Sequence, residues 1–235
     1  MPLDLDWDGC VNVRDLGGFA TPTGDTVFGV FVRADNARKL TAAGWRSATE
    51  YGIRTVLDLR SEPECASDPP AHADFTHTRL SLFDHFDGDE SYRTDLMARV
   101  ANIDMAERHR ILYREALERD ASHFAEAVGV LAEADGGVLF HCVGGKDRTG
   151  MLTALLLRLV GVAVEEVDAD YVRSETRLER APDRASGLNI TPRGVIDQVV
   201  GAIEVRYGSV AEYLLQAGVP HERLDRIRAK LAPGS

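Results

Sequence analysis

A glycine-containing segment between two apolar stretches is the feature that most constrains how this chain can fold. The short apolar run Val138 to Phe140 is typical of a buried strand, and it leads directly into His141 to Gly150, with the sequence HCVGGKDRTG. Apolar residues then recur at helical spacing, at Met151, Leu152, Leu155, Leu156 and Leu159. The pattern predicts a buried strand, a tight loop and a core helix in succession, with Gly161 ending the helix.

Further strands and helices alternate along the chain. The predicted strands are Val27 to Val32, Thr55 to Leu59 and Val138 to Phe140, whereas Ser61 to Pro70, rich in Ser, Pro and acidic residues, is predicted as a loop. The predicted helices are Thr41 to Tyr51, Tyr92 to Leu117, Ser122 to Ala134, one opened by Thr191-Pro192, and one opened by the capping box Ser209 to Glu212. Strands separated by helices predict an α/β fold with a central, mainly parallel sheet flanked by helices.

Size and charge narrow the classes of function. A chain of 235 residues with 44% hydrophobic residues can bury a substantial core, so we expect a single domain spanning residues 1–235. The formal net charge of −11 argues against binding to nucleic acid, because nucleic-acid binders usually carry a basic patch that displaces counterions. A locally basic pocket remains compatible with that total.

Cysteine use and the first residues bear on the compartment. Cys10, Cys65 and Cys142 include no CxxC pair and no metal-ligand spacing, and the histidines show no such spacing either, so no metal is expected. A reducing compartment fits this pattern best. The first eight residues lack the features of a signal peptide, and no apolar run is long enough for a membrane span. We therefore expect a cytoplasmic protein without an integral membrane segment, with non-classical secretion left open.

The loop from Cys142 to Arg148 has the composition of an anion site. In a short glycine-containing turn, the backbone N–H groups of Val143, Gly144, Gly145, Lys146, Asp147, Arg148 and Thr149 can point around a tetrahedral anion, and the helix start adds positive potential. The planar guanidinium of Arg148 can bind two phosphoryl oxygens. A cysteine in such a field has its pKa lowered from about 8.5 to roughly 3.5–7.5. We therefore expect a Cys142 thiolate, with Thr149 placed to donate a hydrogen bond to the sulfur.

The five residues between Cys142 and Arg148 resemble the active-site loop of the protein tyrosine phosphatase superfamily. The longer string HCVGGKDRTG is most similar to a bacterial tyrosine/dual-specificity branch that also hydrolyses phosphoinositides. Other segments that resemble this branch are Asn12 to Gly18, Arg33 to Asp35, Thr55 to Glu62, Ile190 to Pro192 and Tyr207 to Leu214. The resemblance spans most of the chain.

The resemblance implies a fold, a mechanism and a substrate class. It implies a cysteine phosphatase-like domain with a lid-like helical insertion at about residues 84–117, and a two-step, cofactor-free hydrolysis through a phosphocysteine at Cys142. The substrates would be phosphotyrosine proteins, with inorganic phosphate as product. Lys146, as a second cation in the loop, is the feature that accompanies phosphoinositide substrates in related enzymes.

The general acid is the part of the mechanism that the motifs leave open. Better-known tyrosine phosphatases take it from a Trp-Pro-Asp loop, which this sequence lacks. Asp147, inside the loop, is the first candidate, and Asp58, at the carboxyl end of a predicted strand, is the second. Asp84 and Asp87 come third.

Several less specific interpretations stand beside these. Asn12 to Gly18 can be a turn in which Arg14 and Asp15 pair with each other, and Asp58 can form a structural ion pair with Arg60. Cys10 and Cys65 can be ordinary residues, or one of them can protect Cys142 as a disulfide. Two other functions are open to a chain with this loop. They are a sulfurtransferase of the rhodanese type, whose loop is usually one residue shorter, and a phosphate-binding module without activity.

Overall fold

Strands and helices alternate through most of the computed structural model, which describes residues 4–66, 68, 72, 74–83, 89–181 and 192–234. The strands in these ranges are β1 (Arg14–Asp15), β2 (Ala20–Thr21), β3 (Gly24–Asp25), β4 (Phe31–Ala34), β5 (Ile53–Asp58), β6 (Thr76–Arg79) and β7 (Gly137–His141). The α-helices are α1 (Ala42–Tyr51), α2 (Glu62–Cys65), α3 (Glu90–Arg99), α4 (Met105–Arg119), α5 (Ala121–Glu133), α6 (Asp147–Leu159), α7 (Val164–Leu178), α8 (Val195–Tyr207), α9 (Val210–Gln216) and α10 (His221–Leu231).

A five-stranded sheet organises the molecule, with the strand order β1-β4-β7-β5-β6. Strands β4, β7, β5 and β6 are parallel, and only β1 runs antiparallel to its neighbour. The predicted α/β fold with a mainly parallel sheet is therefore confirmed. Because the register pairs Ala34 and Asp58 with His141, the carboxyl ends of the three inner strands meet at one edge. In open α/β sheets, ligands bind beyond this edge.

Helices cover both faces of the sheet, and the two faces have separate apolar cores. Successive strand residues point to opposite sides, so Phe140 packs with α4 to α10 while Leu139 packs with α1. Within the described ranges, no helix combines the length and apolar character needed to cross a membrane.

Two predicted element boundaries near the sheet are wrong. Strand β4 begins at Phe31 rather than Val27, because Gly29 takes a φ of +80° and turns the chain just before the strand. The segment predicted as loop after β5 contains the helical turn α2. Glu64 folds back to accept a hydrogen bond from the Ser61 N–H at 2.9 Å, which caps this turn.

The predicted helices match the structure in part. Helices α1 and α6 form as expected, with Thr41 capping α1 and Gly161 at a φ of +83° beyond α6. The stretch predicted as helical from Tyr92 to Leu117 is two helices, because the Asp104 carboxylate caps a new start at α4. Helix α8 begins after Gly194 rather than at Thr191, which lies outside the described residues. Helices α7 and α10 have no counterpart among the predicted elements.

Candidate active site

The loop between β7 and α6 lies at the centre of the sheet's carboxyl edge. Cys142 follows β7 directly and is 2% exposed, whereas Val143 beside it is 47% exposed. Gly145 adopts a φ of +63°, and a Cβ atom at this position would lie 2.3 Å from the carbonyl oxygen of Ala34. Only glycine fits this close approach to β4, so the loop is packed tightly against the neighbouring strand end.

Three carbonyl groups of the loop accept hydrogen bonds from groups outside it. Asn12 Nδ2 donates to Gly144 O at 2.9 Å, Arg33 Nη2 donates to Gly145 O at 2.6 Å, and the Asn36 N–H donates to Val143 O at 3.0 Å. In a trans peptide the carbonyl and the next N–H point in opposite directions. Carbonyls held outward in this way turn the following amide groups inward, as an oxyanion site requires.

A buried charge network holds the two side chains that anchor the loop. Asp170 on α7 accepts from Arg14 Nε at 2.8 Å and from Arg33 Nη1 at 2.5 Å, and Arg14 also bonds to Asn12 and to Ser174. Burial alone would raise the pKa of Asp170, but the two arginines hold it at about 2. The network therefore fixes Asn12 and Arg33, the two side chains bonded to the loop carbonyls.

This network corrects one interpretation of the segment Asn12 to Gly18. Arg14 and Asp15 do not pair with each other: Arg14 binds Asp170, and Asp15 accepts hydrogen bonds from the Gly17 and Gly29 N–H groups and from Tyr51. Asn12 and Arg14 thus support the loop rather than a local turn.

Arg148 lies in the first turn of α6 and binds Glu64 of α2 in a bidentate ion pair. The two distances are 2.5 Å from Nη1 and 2.7 Å from Nη2, and Nη1 is also 3.4 Å from Leu59 O. Burial would lower the pKa of Arg148, but the Glu64 hydrogen bonds and the nearby Cys142 raise it. Among contacts with described residues, the guanidinium edge formed by Nε and Nη2 keeps two N–H groups for a ligand.

Thr149 follows Arg148 and is fully buried. Its hydroxyl oxygen has no hydrogen-bond partner among the described residues, so the expected bond to the Cys142 sulfur is not formed in this structure. An unsatisfied buried hydroxyl costs free energy, so a bound oxyanion or the Cys142 sulfur would be a favourable partner.

Asp147, the first candidate for the general acid, faces helix α4. Its Oδ1 atom accepts a hydrogen bond from Tyr113, lies 3.6 Å from Lys146 Nζ and lies 3.9 Å from His109 Nε2. The side chain is 40% exposed. The Asp147 carboxylate is therefore accessible from the space above the loop, while the hydrogen bond from Tyr113 fixes its position.

Asp58, the second candidate, forms the structural ion pair that the sequence left open. Its oxygens accept from Arg60 Nε at 2.9 Å and from Arg60 Nη2 at 2.6 Å, and Oδ2 lies 3.7 Å from His141 Nε2. Burial would raise the pKa of Asp58, but the hydrogen bonds from Arg60 hold it below its usual value. The third candidates, Asp84 and Asp87, lie outside the described residues.

The histidine and the other two cysteines near the loop favour uncharged forms. Burial lowers the pKa of His141 to about 4, and its Nδ1 lies 3.2 Å from Cys142 O. Burial also raises the thiol pKa of Cys10, whose Sγ donates to Asn36 O at 3.4 Å, and that of Cys65. These arrangements fit structural roles.

A single group of described side chains places three possible metal ligands close together. Asp58, Cys65 and Asp68 have ligand atoms within 4.8 Å of one another. The Arg60 guanidinium binds both carboxylates of the group, so their charge is already compensated by a cation.

An open cavity of about 740 Å³ lies next to the second half of the loop. Its floor includes Lys146, Asp147 and Arg148, and helices α3 and α4 form one wall. The cavity also has apolar lining from Leu82, Phe83, Met97, Met105 and Leu112. Its size suits a ligand as large as an aromatic phosphate ester with its neighbouring groups.

Sequence reasoning missed two residues that this site depends on. Glu64 could have been found from the capping box Ser61 to Glu64, which marks a helix start. Asp170 lies on a helix that was not predicted, and its partners Arg14 and Arg33 are far away in sequence, so no local pattern indicated it.

Comparisons with known proteins agree with this geometry. Residues 5–233 match the model of the tyrosine phosphatase family. A Cupriavidus necator protein that carries a provisional tyrosine-protein phosphatase name is 29% identical over 231 residues, covering 91% of this chain and 84% of that protein. A tyrosine-protein phosphatase of Nostoc commune is 29% identical over 86% of this chain and 74% of its own length.

A third relative covers nearly the whole of both chains. The triple specificity protein phosphatase PtpB of Mycobacterium tuberculosis is 26% identical over 95% of this chain and 97% of its own length. With the family model spanning almost every residue, the chain belongs to the tyrosine phosphatase family and is a protein-tyrosine phosphatase.

Proposed function

We propose that this enzyme hydrolyses phosphotyrosine in two steps through a phosphocysteine at Cys142. The observation that carries the proposal is the set of outward-held carbonyls at Val143, Gly144 and Gly145, which turns the following amides toward the space beside the sulfur. Arg148, held by Glu64, supplies two further N–H groups to the same oxyanion.

The first step forms a bond between Cys142 Sγ and phosphorus. The bond between phosphorus and the tyrosine oxygen breaks, and the leaving oxygen takes a proton from a general acid. In the second step the deprotonated acid takes a proton from a water molecule as its oxygen attacks phosphorus, the bond between phosphorus and sulfur breaks to restore the thiolate, and inorganic phosphate leaves. The Thr149 hydroxyl, which has no hydrogen-bond partner among the described residues, is proposed to turn toward the departing thiolate and stabilise it. No cofactor or metal takes part.

Asp147 is the proposed acid because it lies in the loop itself, is exposed to the cavity and is held in place by the hydrogen bond from Tyr113. Asp58 is less suited, since both of its oxygens accept hydrogen bonds from Arg60. Loss of activity toward poor leaving groups, with p-nitrophenyl phosphate less affected, identifies the donor. This comparison is made with Asp147→Asn, Asp58→Asn, Asp84→Asn and Asp87→Asn.

The architecture proposed around the site is one phosphatase domain, 1–235, with a lid-like helical insertion at about 84–117 that includes α3 and the first part of α4. Both helices line the cavity, and α4 is tied to the loop through Tyr113 and Asp147. A lid of this kind would slow the entry of large substrates. The thiol chemistry of Cys142 favours a reducing compartment, for which we propose the cytoplasm.

Phosphoinositides are proposed as a further substrate class because Lys146 adds a second cation at the loop and because PtpB carries a triple specificity name. Phosphotyrosine, phosphoserine and phosphoinositide substrates assayed side by side test this breadth. If the enzyme hydrolysed only the phosphotyrosine substrate, the proposal that Lys146 supports phosphoinositide substrates would be wrong.

The central experiment compares wild type with Cys142→Ser and Arg148→Lys on a phosphotyrosine peptide. We expect no turnover from Cys142→Ser, and a loss of orders of magnitude from Arg148→Lys because a lysine cannot form the bidentate contact. Acid-quenched wild type should carry phosphate on Cys142. Full activity of either variant would contradict the mechanism.

A further inference from the structure

The cavity beside the loop contains an arginine that the proposed mechanism does not use. Arg108 lies in the first turns of α4 and lines the cavity together with Lys146 and Arg148. Because α4 buries Tyr113, Ala116 and Leu117 in the core, Arg108 is carried by a helix that is packed into the body of the protein.

Arg108 differs from the other cations that line the cavity because they lie next to a described carboxylate and Arg108 does not. Arg148 is paired with Glu64, Lys146 lies 3.6 Å from Asp147, and Arg93 is paired with Glu90 at 3.0 Å. Arg108 makes no ion pair with any residue in the described part of the chain. Among contacts with described residues, the Arg108 guanidinium therefore keeps all of its N–H donors for a ligand, whereas Arg148 keeps only the two on its Nε and Nη2 edge.

The described lining of the cavity has an excess of positive charge. Its cations are Arg93, Arg108, Lys146 and Arg148, and its carboxylates are Glu64 and Asp147. A positive cavity in a chain of net charge −11 concentrates anionic ligands at the site. One phosphate on the loop engages Arg148, which leaves Arg108 for a second anionic group of the same ligand.

We propose that Arg108 is a specificity-determining residue that selects phosphotyrosine peptides with an acidic residue next to the phosphotyrosine. This inference rests on the proposed function at Cys142. The apolar wall formed by Phe83, Met105 and Leu112 is suited to the tyrosine ring, and Arg108 on the same wall is placed for a neighbouring carboxylate.

Surface charge favours a peptide over a membrane lipid as the source of the second anion. A net charge of −11 opposes docking on an anionic bilayer. The large apolar side chains exposed in the described ranges, Phe28, Val143 and Val205, belong to three separate segments and offer no continuous surface for insertion.

The test uses two phosphotyrosine peptides that differ only in Asp or Asn next to the phosphotyrosine. Wild type should favour the Asp peptide by about tenfold in kcat/KM, the scale of one charge-assisted hydrogen bond. Arg108→Gln should bring this ratio close to one, and Arg108→Glu should invert it. The matched control is Arg114→Gln, an exposed arginine on the same helix outside the cavity, which should leave the ratio unchanged.

Three outcomes would overturn the assignment of Arg108. They are equal turnover of the two peptides by wild type, the same narrowing of the ratio in Arg114→Gln, and an Arg108→Gln defect seen only with phosphoinositide vesicles. Wild type without activity on p-nitrophenyl phosphate or either peptide would instead refute the proposed function, so the two failures are distinguishable.

Discussion

At the scale of single residues, the Glu64 carboxylate makes two different contacts at the same time. Its carboxylate caps the helical turn α2 through the Ser61 N–H, and it holds the Arg148 guanidinium in a bidentate pair. The first contact fixes where the carboxylate lies, and the second transmits that position to the proposed phosphate site. The orientation of Arg148 is thus set before substrate arrives.

Replacing Glu64 with Gln should therefore impair turnover rather than folding. We expect kcat/KM to fall by about 10- to 100-fold, because a misdirected guanidinium loses part of its contact with the transition state. The matched control is Glu62→Gln on the same helical turn, since Glu62 is largely exposed and pairs with Arg79 at the surface. Steady-state kinetics of the two variants would show equal values if Glu64 did not position Arg148.

The second residue-scale prediction concerns Asp170, whose charge is shared by Arg14 and Arg33 in the protein interior. Asp170→Asn leaves two buried guanidinium groups without a countercharge, so the free energy of unfolding should fall by about 3–5 kcal/mol. Urea denaturation measures this loss, with the exposed Asp225→Asn as control. A loss below about 1 kcal/mol would show that the network does not stabilise the fold.

At the scale of elements, the two helices over the cavity are attached to the body very differently. Helix α4 buries His109, Tyr113, Ala116 and Leu117, whereas α3 buries Leu96 alone. Helix α3 is held further by Tyr92, which donates to Glu115 at 2.5 Å and stacks under Arg119. This difference makes α3 the element best suited to move as a lid.

Hydrogen exchange should separate the two helices. Amides of α3 should exchange at least about tenfold faster than those of α4, because few buried contacts oppose local opening of α3. Mass spectrometry with peptide resolution measures both rates in one sample. Equal protection of the two helices would argue against a lid formed by α3.

At the scale of the whole molecule, a buried neutral histidine ties global stability to pH. Burial lowers the pKa of His141 to about 4, although Asp58 opposes this shift. Below a pH of about 6.5 the unfolded chain therefore takes up a proton that the folded chain does not. Stability is lost as the pH falls from about 6.5 toward 4, and this component is constant below that range.

The variant His141→Asn should lack this component. Its loss of unfolding free energy between a pH of about 6.5 and 4.5 should be smaller than that of wild type, by up to about 3 kcal/mol. Chemical denaturation at several pH values measures the two slopes. Parallel curves for wild type and variant would mean that His141 is not held neutral in the folded state.

Local patterns along the chain determined much of this protein. The apolar run before Cys142, the glycines after it and the helical spacing beyond Thr149 fixed the strand, the loop and the core helix, because each is a short-range property of the backbone. The charge of Arg148 and the sulfur of Cys142 then indicated phosphate chemistry. The same local information gave the α/β class.

Tertiary structure alone decided how the loop is held and what lies above it. Asp170 reaches Arg14 and Arg33 across more than 130 residues of sequence, and Arg108 enters the cavity because α4 packs against the core. The local sequence pattern around a helical residue does not indicate which side chain it contacts, because that contact depends on how elements far apart in sequence pack together. The role of a buried charged residue such as Asp170 can be assigned only when the oppositely charged residues that contact it are known.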